Sequence, residues 1–506
     1  MKTKNPLIQG TIILTFAGIL SRVLGFYNRI FLSQFIGAKE VGIYQLIFPV
    51  YLLCFSICCQ GIETSISRFV ASCPSHQKTL RHRILLTGIA LSFSLSIIAY
   101  AILFFFSETI SISILKEPSC ALCLKIISFA IPFVSIKACV LGYELGLTHS
   151  VLPACTQLVE QITRVGSIYA LSITLFSNRP ATASIATLGM ALGELISFFF
   201  LMFFFIKREK KEGKIHTFSP SISYITIFKQ LLHDSIPLTS NRLILTLLQS
   251  AEAILIPSTF FAYYHNKDLS LEFYGILTGM VMPFIYFPSA ITNSLSVMLL
   301  PTISSAKSKN QNTLISSTAS RSIYYSVLLG IFSCFLFLFY GKELGLLFFH
   351  NKNAGELLFM MALICPFTYL TTTLSSILNG LGKMSTTFVH NMISSAIMLS
   401  FVIFTIPHYG MKGFLWGLIA SDLLLILLHL LSILRITHLS FHPYKSIIKP
   451  IFMSCICGGI SFFIVPAIHN FYDLFLKCSI YGFGILLCLY VFSRNDFSFD
   501  EYKRNA

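Results

Sequence analysis

Residues 18–29 read Gly-Ile-Leu-Ser-Arg-Val-Leu-Gly-Phe-Tyr-Asn-Arg, and they place two arginines inside an otherwise apolar run. At about 3.6 residues per turn, one face of the predicted helix carries Gly18, Arg22, Gly25 and Arg29. A guanidinium at the centre of a bilayer costs at least about 2.5 kcal/mol on insertion scales, so such a residue usually faces a bundle interior or a water-filled cavity. We therefore expect this face to serve the function of the protein.

A structural role for the two arginines is the alternative interpretation. Arg29 would then extend its guanidinium to the polar surface of the membrane, as long basic side chains near helix ends do. Arg22 would form an ion pair with a buried acid such as Glu63 on the second apolar run. The two interpretations differ for Arg22→Lys, because lysine neutralises an acid but cannot offer two parallel hydrogen bonds to a phosphate.

Composition places the chain among membrane proteins. Hydrophobic residues make up 55%, aromatic residues 14% and charged residues 11% of the sequence, and the mean hydropathy is +0.78. These values lie outside the range of soluble globular chains. The net charge of +16 comes from short basic clusters between apolar runs, a pattern that sets membrane orientation. The sequence thus predicts contact with membrane lipid and no nucleic-acid partner.

The apolar runs predict an all-α fold with fourteen membrane-spanning helices, since fourteen runs are long enough to cross about 30 Å of hydrocarbon. Their approximate ranges are 8–36, 43–67, 84–106, 121–147, 152–176, 182–206, 231–257, 272–299, 322–348, 355–379, 386–406, 413–434, 446–466 and 473–492.

The distribution of basic residues predicts the orientation of these spans. The side that holds the N-terminus carries 22 lysines and arginines, and the opposite side carries nine. Both termini are therefore expected in the cytoplasm. Five basic residues lie within spans and require a functional or structural explanation: Arg22, Arg29, Lys137, Arg164 and Arg242.

Two pairs of matching segments indicate an internal repeat. The pairs are Gly42-Ile43-Tyr44 with Pro49 against Tyr274-Gly275-Ile276 with Pro283, and Gly142-Tyr143-Glu144-Leu145-Gly146 against Asn379-Gly380-Leu381-Gly382. The first pair is offset by 234 residues and the second by 236. Two nearly equal offsets predict two related six-helix halves, and chance matching of glycine and proline is the alternative.

The repeat and the charge pattern together predict the domain organisation. An N-terminal six-helix lobe covers 1–206, and the basic, polar segment 207–230 is a cytoplasmic linker. A second six-helix lobe covers 231–440. Two additional spans and a cytoplasmic tail occupy 441–506.

Polar side chains recur at helical spacing inside two of the spans. One stripe consists of Gln60, Glu63, Thr64 and Ser67, and the other of Gln157, Glu160, Gln161 and Arg164. Each stripe gives an otherwise apolar helix one polar face. Glu160 and Arg164 have the spacing of an i,i+4 ion pair, which is the structural explanation for both residues.

The sequence contains no pattern that predicts catalysis. A phosphate-binding loop is absent, the predicted external loops are short, and the histidines are scattered without metal-ligand spacing. We therefore predict no enzymatic activity, no cofactor and no metal site. A secondary transporter or a lipid flippase is the class that remains.

Several ordered motifs resemble the stage V sporulation protein B group of polysaccharide flippases, in the multidrug/oligosaccharidyl-lipid/polysaccharide exporter superfamily. The motifs are Ser21 to Arg29, Ile36-Gly37-Ala38, Gly42-Ile43-Tyr44, Ile66-Ser67-Arg68, Gly142-Tyr143 with Gly146, Pro153, Gln157, Glu160-Gln161, Arg164, Ser235-Ile236-Pro237-Leu238, Tyr274-Gly275, Pro283, Phe287-Pro288-Ser289, Leu300-Pro301 and Leu378-Asn379-Gly380-Leu381-Gly382-Lys383.

The resemblance implies a V-shaped pair of six-helix lobes with a central cavity, in a bacterial plasma membrane. It also implies transport of a lipid-linked sugar for cell wall, spore cortex or polysaccharide biosynthesis, with a peptidoglycan precursor favoured because the group is similar to MurJ-like flippases. The first cavity arginine of those proteins corresponds to Arg22. Arg29 lies seven residues further on, where the MurJ pattern has six.

We predict a flippase that works by alternating access, with Arg22 and Arg29 holding the pyrophosphate of an undecaprenyl-pyrophosphate-linked sugar. The predicted substrate-binding residues are Arg22, Gly25, Arg29, Gln60, Glu63, Gln157, Glu160, Arg164 and Arg242. Asp234 and Asp422 are candidates for ion coupling. The alternatives are a multidrug or toxin exporter of the same superfamily, and a non-transporting scaffold that binds cell-envelope synthesis proteins.

Overall fold

The computed structural model describes residues 6–74, 77–174, 182–211, 223–437, 439, 443–465 and 471–496. Throughout these ranges the regular structure is helical, which confirms the predicted all-α class. The helices are α1 (Pro6–Phe55), α2 (Gly61–Ser72), α3 (Lys78–Phe105), α4 (Ser107–Thr109), α5 (Cys120–Ser128), α6 (Ile131–Gly146), α7 (Val151–Thr174), α8 (Ala183–Lys211), α9 (Tyr224–Tyr264), α10 (Lys267–Gly275), α11 (Met282–Tyr286), α12 (Ser289–Ser308), α13 (Asn312–Phe349), α14 (Lys352–Met361), α15 (Cys365–Gly380), α16 (Met384–Phe404), α17 (Ile406–Tyr409), α18 (Met411–Leu434), α19 (Lys449–Ile464) and α20 (Phe471–Asp496).

Short π-helical and 3₁₀ segments interrupt several of the apolar runs. The π segments are Ser56–Gln60, Ile110–Ile114, Ile276–Val281 and Tyr444–Ile448, and a 3₁₀ segment covers Ala362–Ile364. Such segments change the hydrogen-bond register of a helix and often mark functional sites.

Within the described ranges, eleven helical stretches are long and apolar enough to cross a membrane, or twelve if the bent pair α5 and α6 forms one span. The bend between α5 and α6 is 46°. All the predicted spans fall largely on helices, and the count of fourteen stays a prediction. The first two predicted spans lie in one 60-residue stretch, Ile13–Ser72, because the chain continues in helical form through the predicted turn between them.

Gly37 provides the break in that long stretch. Its backbone has φ 80° and ψ 165°, so it departs from helical geometry at this one position inside α1. Glycine adopts positive φ readily because it lacks a Cβ. The chain thus bends at a single residue where the sequence predicted a short loop.

The helices form two compact units. The first contains the described residues up to Gly279 together with Leu399–Gly413, and a buried hydrophobic cluster lies among its helices α2, α3, α6, α8 and α9. The second contains Met280–Met398 and the described residues from Phe414 onward, and its core lies among α12, α13, α15 and α18. The predicted lobe boundaries stay a prediction, and residues 212–222 of the predicted linker lie outside the described ranges.

Glycines of the predicted repeat lie at close helix contacts. In the first unit, a Cβ placed on Gly42 of α1 would lie 3.2 Å from the nitrogen of Gly275 on α10. These two glycines belong to the two segments of the first matched pair, and they face each other. In the second unit, a Cβ on Gly380 of α15 would lie 3.2 Å from the carbonyl oxygen of Leu300 on α12. A larger residue at either position would require neighbouring atoms to move.

Candidate functional site

The face of α1 that carries Arg22 is open. Arg22 is exposed, and its side chain forms no hydrogen bond or ion pair with any residue that the structure describes. A Cβ placed on Gly18 would meet no atom within 4 Å, and one on Gly25 would lie 3.7 Å from Oε1 of Gln161 on α7. A bulky anionic group therefore has space beside the Arg22 guanidinium.

Arg29 makes a contact that the sequence analysis did not anticipate. Its Nη1 donates a hydrogen bond to the carbonyl oxygen of Thr278 at 3.3 Å. Thr278 lies in the π segment Ile276–Val281, where a carbonyl accepts from the N–H five residues later. That residue is Pro283, which has no N–H. Arg29 therefore satisfies a carbonyl that its own helix cannot satisfy.

The polar stripe of the second predicted span lies around the π segment Ser56–Gln60. The Ser56 hydroxyl donates to Oε1 of Gln60 at 3.1 Å, and the same hydroxyl lies 3.2 Å from Oγ1 of Thr246 on α9. Glu63 is half-buried on α2 and forms no ion pair within the described ranges. The Arg22–Glu63 pair of the structural interpretation is thus not formed in this structure.

The stripe on α7 contributes to a buried ion cluster. Nη2 of Arg164 donates to Oε1 of Glu160 at 2.8 Å, which confirms the i,i+4 contact expected from their spacing. Gln157, one turn before Glu160, is exposed. The stripe therefore divides into a paired part that faces the bundle and an exposed end.

Lys137 on α6 joins this pair to α8. Its Nζ donates to Oε2 of Glu160 at 2.9 Å, to a carboxylate oxygen of Glu194, and to Oγ of Ser197 at 3.1 Å. The Lys137 and Glu194 side chains are each only 7% exposed. Three consecutive membrane helices thus meet at one lysine.

The cluster is electrically balanced, because Lys137 and Arg164 face Glu160 and Glu194. Arg164 Nη2 also lies 3.8 Å from Glu194 Oε1, and the Tyr51 hydroxyl on α1 donates to that same oxygen at 3.2 Å. Removing charges from water is costly, and mutual attraction offsets the cost only when the geometry is good and the remaining atoms are hydrogen-bonded. These contacts pair all four charges, although the buried Nε of Arg164 has no hydrogen-bond partner among the described residues.

The assembly of this cluster is not predicted by the sequence. Lys137 is evident as a charge within a span, but the pattern does not identify Glu194 as its partner. The available signal was that three successive apolar runs, 121–147, 152–176 and 182–206, each contain charged residues. A charge inside a span is expected to find a partner on a neighbouring helix.

The two candidate coupling acids have different surroundings. Asp234 on α9 is exposed, and its Oδ1 lies 3.2 Å from Nδ1 of the adjacent His233. Asp422 on α18 is half-buried and accepts a hydrogen bond from Oγ1 of Thr368 at 2.7 Å. Arg242 on α9 is exposed. The described contacts bring neither Asp234 nor Asp422 together with the ion cluster of α6, α7 and α8.

A family model matches more than half of this chain. A family model described as "Polysaccharide biosynthesis protein" matches residues 7–307. Stage V sporulation protein B of Bacillus subtilis (strain 168) is 26% identical over 465 residues, which cover 90% of this chain and 89% of that protein.

Solved structures show the same fold. The lipid II flippase MurJ in an inward closed conformation matches with a TM-score of 0.74 and 17% identity, over 96% of this chain and 99% of that chain. An inward-facing multidrug resistance MATE family transporter of the MOP superfamily matches with a TM-score of 0.63 and 12% identity, over 82% of this chain and 94% of that chain. The chain is a multi-pass membrane protein with the fold of these transporters.

Proposed function

The chain belongs to the polysaccharide biosynthesis protein family, and we propose that it is a flippase for a lipid-linked oligosaccharide or peptidoglycan precursor of the lipid II type. In this proposal the substrate crosses a bacterial plasma membrane by alternating access, in support of cell wall, spore cortex or polysaccharide biosynthesis. Similarity to stage V sporulation protein B and to the fold of MurJ supports the assignment. The protein would transport its substrate without chemical change, and so would not be an enzyme.

The observation that carries the proposal is the contrast between Arg22 and two other cations within spans of the first unit, Lys137 and Arg164. Lys137 and Arg164 are neutralised by Glu160 and Glu194. Arg22 lies on an apolar helix with no partner among the described residues, beside a face opened by glycine. An unpaired guanidinium on a membrane helix is a functional candidate, and phosphate is the anion whose oxygens it bonds in bidentate fashion.

We assign Arg22 the principal contact with the pyrophosphate of an undecaprenyl-pyrophosphate-linked sugar. Arg29 already donates one N–H of its guanidinium to the Thr278 carbonyl. Its contact with the pyrophosphate would therefore use the other N–H groups of the guanidinium. The remaining proposed contacts are Gly25, Gln60, Glu63, Gln157, Glu160, Arg164 and Arg242. Among these, Glu160 and Arg164 would act mainly by holding α7 in place, because they already bond to each other.

The membrane potential is a sufficient energy source in this proposal. It supplies about 2.3 kcal/mol per elementary charge per 100 mV, which biases the movement of an anionic headgroup. Asp234 and Asp422 stay our candidates for a coupled cation. Asp422 has only a neutral hydroxyl partner within the described ranges, so its carboxylate is the better placed of the two to gain from a bound cation.

Both termini are proposed to lie in the cytoplasm because of the bias of 22 basic residues against nine. In a cysteine-depleted protein, a cysteine at Lys211 should resist an impermeant thiol reagent in intact cells, and one at Asn266 should react. Labelling at Lys211 from outside would reverse the proposed orientation and the direction of transport.

Substitution of Arg22 tests the function. In vesicles with fluorescent lipid-linked precursor, Arg22→Ala should lose substrate binding and translocation while keeping the wild-type yield, and Arg22→Lys should recover only part. In the lysine variant, a single ammonium group replaces the planar guanidinium, which can donate two parallel hydrogen bonds to a phosphate. Arg435→Ala, at an exposed arginine near the end of α18, is the matched control and should behave as wild type.

Wild-type precursor binding by Arg22→Ala would move the substrate site elsewhere. Rescue of Arg22→Ala by Glu63→Gln would instead show that the arginine neutralises that acid during the transport cycle. Either result would contradict the proposed contact between Arg22 and the pyrophosphate.

Export of a drug or toxin is the second candidate, and the MATE structural neighbour favours it. A cationic drug needs acids that are available to it, but Glu160 and Glu194 are already bound by Lys137 and Arg164. Transport of a cationic dye by the same vesicles, without precursor transport, would establish this alternative. Binding of cell-envelope synthesis proteins with no transport of either compound would establish the scaffold.

A further inference from the structure

A basic cavity lies at one end of the first unit, where α3 begins and α6 ends. Its volume is about 250 Å³. The titratable side chains that line it are Lys78, Arg81, His82, His149, Tyr143 and Glu209. Among these described lining residues, two bases, Lys78 and Arg81, accompany one acid, Glu209. The lining favours an anion.

Arg81 has donor capacity that the fold does not use. Its Nη2 donates to the carbonyl oxygen of Cys73 at 2.7 Å, which holds the guanidinium at the cavity. Its Nε is buried and has no hydrogen-bond partner among the described residues. A buried polar atom without a partner is costly, and a bound acceptor such as a phosphate oxygen would remove that cost.

The first turn of α3 adds backbone donors at the same place. This helix of 28 residues starts at Lys78, and the side chain of its N-cap residue Gln77 makes no capping hydrogen bond. The first N–H groups of a helix have no partner within the helix, and the helix dipole places partial positive charge there. The cavity thus combines basic side chains with uncapped backbone N–H groups.

A buried acid close to the cavity does not cancel this charge. Glu144 is held by two hydrogen bonds from the Arg208 guanidinium, and its side chain is fully buried. Nδ1 of His149 lies 3.1 Å from Nη1 of Arg208 and 3.4 Å from Oε2 of Glu144. Glu144 is therefore neutralised within the protein, and Glu209 is the acid among the described residues that line the cavity.

The position of the cavity indicates the source of the anion. It lies at the ends of α3, α6 and α8, whose preceding or following residues are strongly apolar, so it is at the level of the lipid headgroups. In the orientation proposed above, this end of the helices faces the cytoplasm, where basic pockets between membrane helices bind phosphate-bearing headgroups. We propose that this cavity binds the phosphate of an anionic phospholipid, at a site separate from the Arg22 face.

Lipid titration of the full-length protein tests the proposal. In native mass spectra, phosphatidylglycerol should bind at least about tenfold more tightly than phosphatidylcholine, because the second headgroup carries no net charge. The double variant Lys78→Gln, Arg81→Gln should lose about tenfold in affinity for phosphatidylglycerol. The double variant Lys309→Gln, Arg435→Gln removes two exposed charges elsewhere and should bind as wild type.

Glu209→Gln keeps the test independent of folding, because it removes the cavity's acid and should tighten binding of phosphatidylglycerol by about threefold or more. A damaged protein would not gain affinity. Equal affinity for the two lipids, or unchanged binding in the Lys78→Gln, Arg81→Gln variant, would overturn the proposal. Saturable binding of inorganic phosphate without a preference for phosphatidylglycerol would overturn the lipid assignment.

Discussion

Three helices of the first unit are joined by buried ion pairs, whereas the three helices that the predicted repeat matches to them in the second unit are joined by hydrogen bonds. In the first unit, α6, α7 and α8 bury two acids and two bases in one cluster around Lys137. In the second unit, α15, α16 and α18 have the corresponding place in the predicted repeat. His429 lies 235 residues after Glu194, between the two repeat offsets, and its contacts are with neutral groups.

The polar contacts of the second unit form a short chain. Nε2 of His429 lies 3.0 Å from the Ser375 hydroxyl, and its Nδ1 lies 3.2 Å from Nδ1 of His390. In a hydrogen bond between two imidazoles, one nitrogen donates and the other accepts, so the pair cannot carry two full charges there. At the positions that the predicted repeat matches, the second unit thus has hydrogen bonds and the first unit has ion pairs.

The difference separates charges that hold helices together from charges that act on a substrate. Loss of one partner from a buried ion cluster leaves an uncompensated charge, whereas loss of a neutral partner leaves one unsatisfied hydrogen bond. The paired cations Lys137 and Arg164 therefore belong to the structure of the first unit. In the proposed function, Arg22, which has no partner among the described residues, is available to the substrate.

The largest expected effect is that of Lys137→Met. Methionine keeps the apolar volume but leaves Glu160 and Glu194 with Arg164 alone, so the stability should fall by about 3 to 5 kcal/mol. The measurement is the apparent unfolding temperature of the purified protein in detergent. Glu194→Gln in the same chain restores the charge balance and should recover part of the loss.

Lys125→Met is the matched control for that experiment. Lys125 pairs with Glu108 at 3.1 Å, but their side chains are 37% and 74% exposed. An exposed pair contributes about 0 to 1 kcal/mol. Equal losses for Lys125→Met and Lys137→Met, or no recovery with Glu194→Gln, would contradict a stabilising role for the buried cluster.

The sequence predicted local contacts better than contacts between helices. The Glu160–Arg164 pair follows from spacing on one helix, and the structure confirms it. The Lys137–Glu194 contact depends on how α6 and α8 are rotated and spaced, which periodicity does not fix. The all-α class follows from composition, but the bend at Gly37 required the backbone angles of one residue.

Arg29 illustrates the same limit at the candidate site. The sequence placed Arg29 and Arg22 on one helix face, and this followed from helical geometry alone. The contact of Arg29 with the Thr278 carbonyl depends on a π segment on another helix and on the missing N–H of Pro283. Each element was visible in the sequence, but their meeting was not.

His429→Leu should have a smaller effect than Lys137→Met. The substitution leaves Ser375 and His390 without their shared partner, and the expected loss is about 1 kcal/mol, since hydrogen bonds between membrane helices contribute modestly. The same unfolding assay measures it. A loss of stability as large as that of Lys137→Met would contradict the distinction between the two units. The hydrogen bonds of His429 would then stabilise the second unit as strongly as the ion cluster stabilises the first.

The smallest expected effect concerns an ion pair outside the membrane spans. Glu117 lies in the segment before α5, and its carboxylate is 2.9 Å from Nζ of Lys267. Burial opposes its ionisation, but hydrogen bonds from Lys267 and Ser119 outweigh this and hold the pKa of Glu117 below its usual value. An acid with a lowered pKa contributes stability above its ordinary pKa, and that contribution disappears as the pH falls through the lowered pKa.

Glu117→Gln should therefore cost less than about 1 kcal/mol at about pH 7, since Lys267 is half exposed and solvent screens the pair. At a pH below the lowered pKa of Glu117, the wild type and the variant should approach each other, because protonated Glu117 no longer attracts Lys267. Unfolding temperatures at both pH values measure the difference. If the difference is as large at the lower pH, the Glu117 charge is not its source. If the cost at neutral pH equals that of Lys137→Met, burial is not what distinguishes the cluster of the first unit.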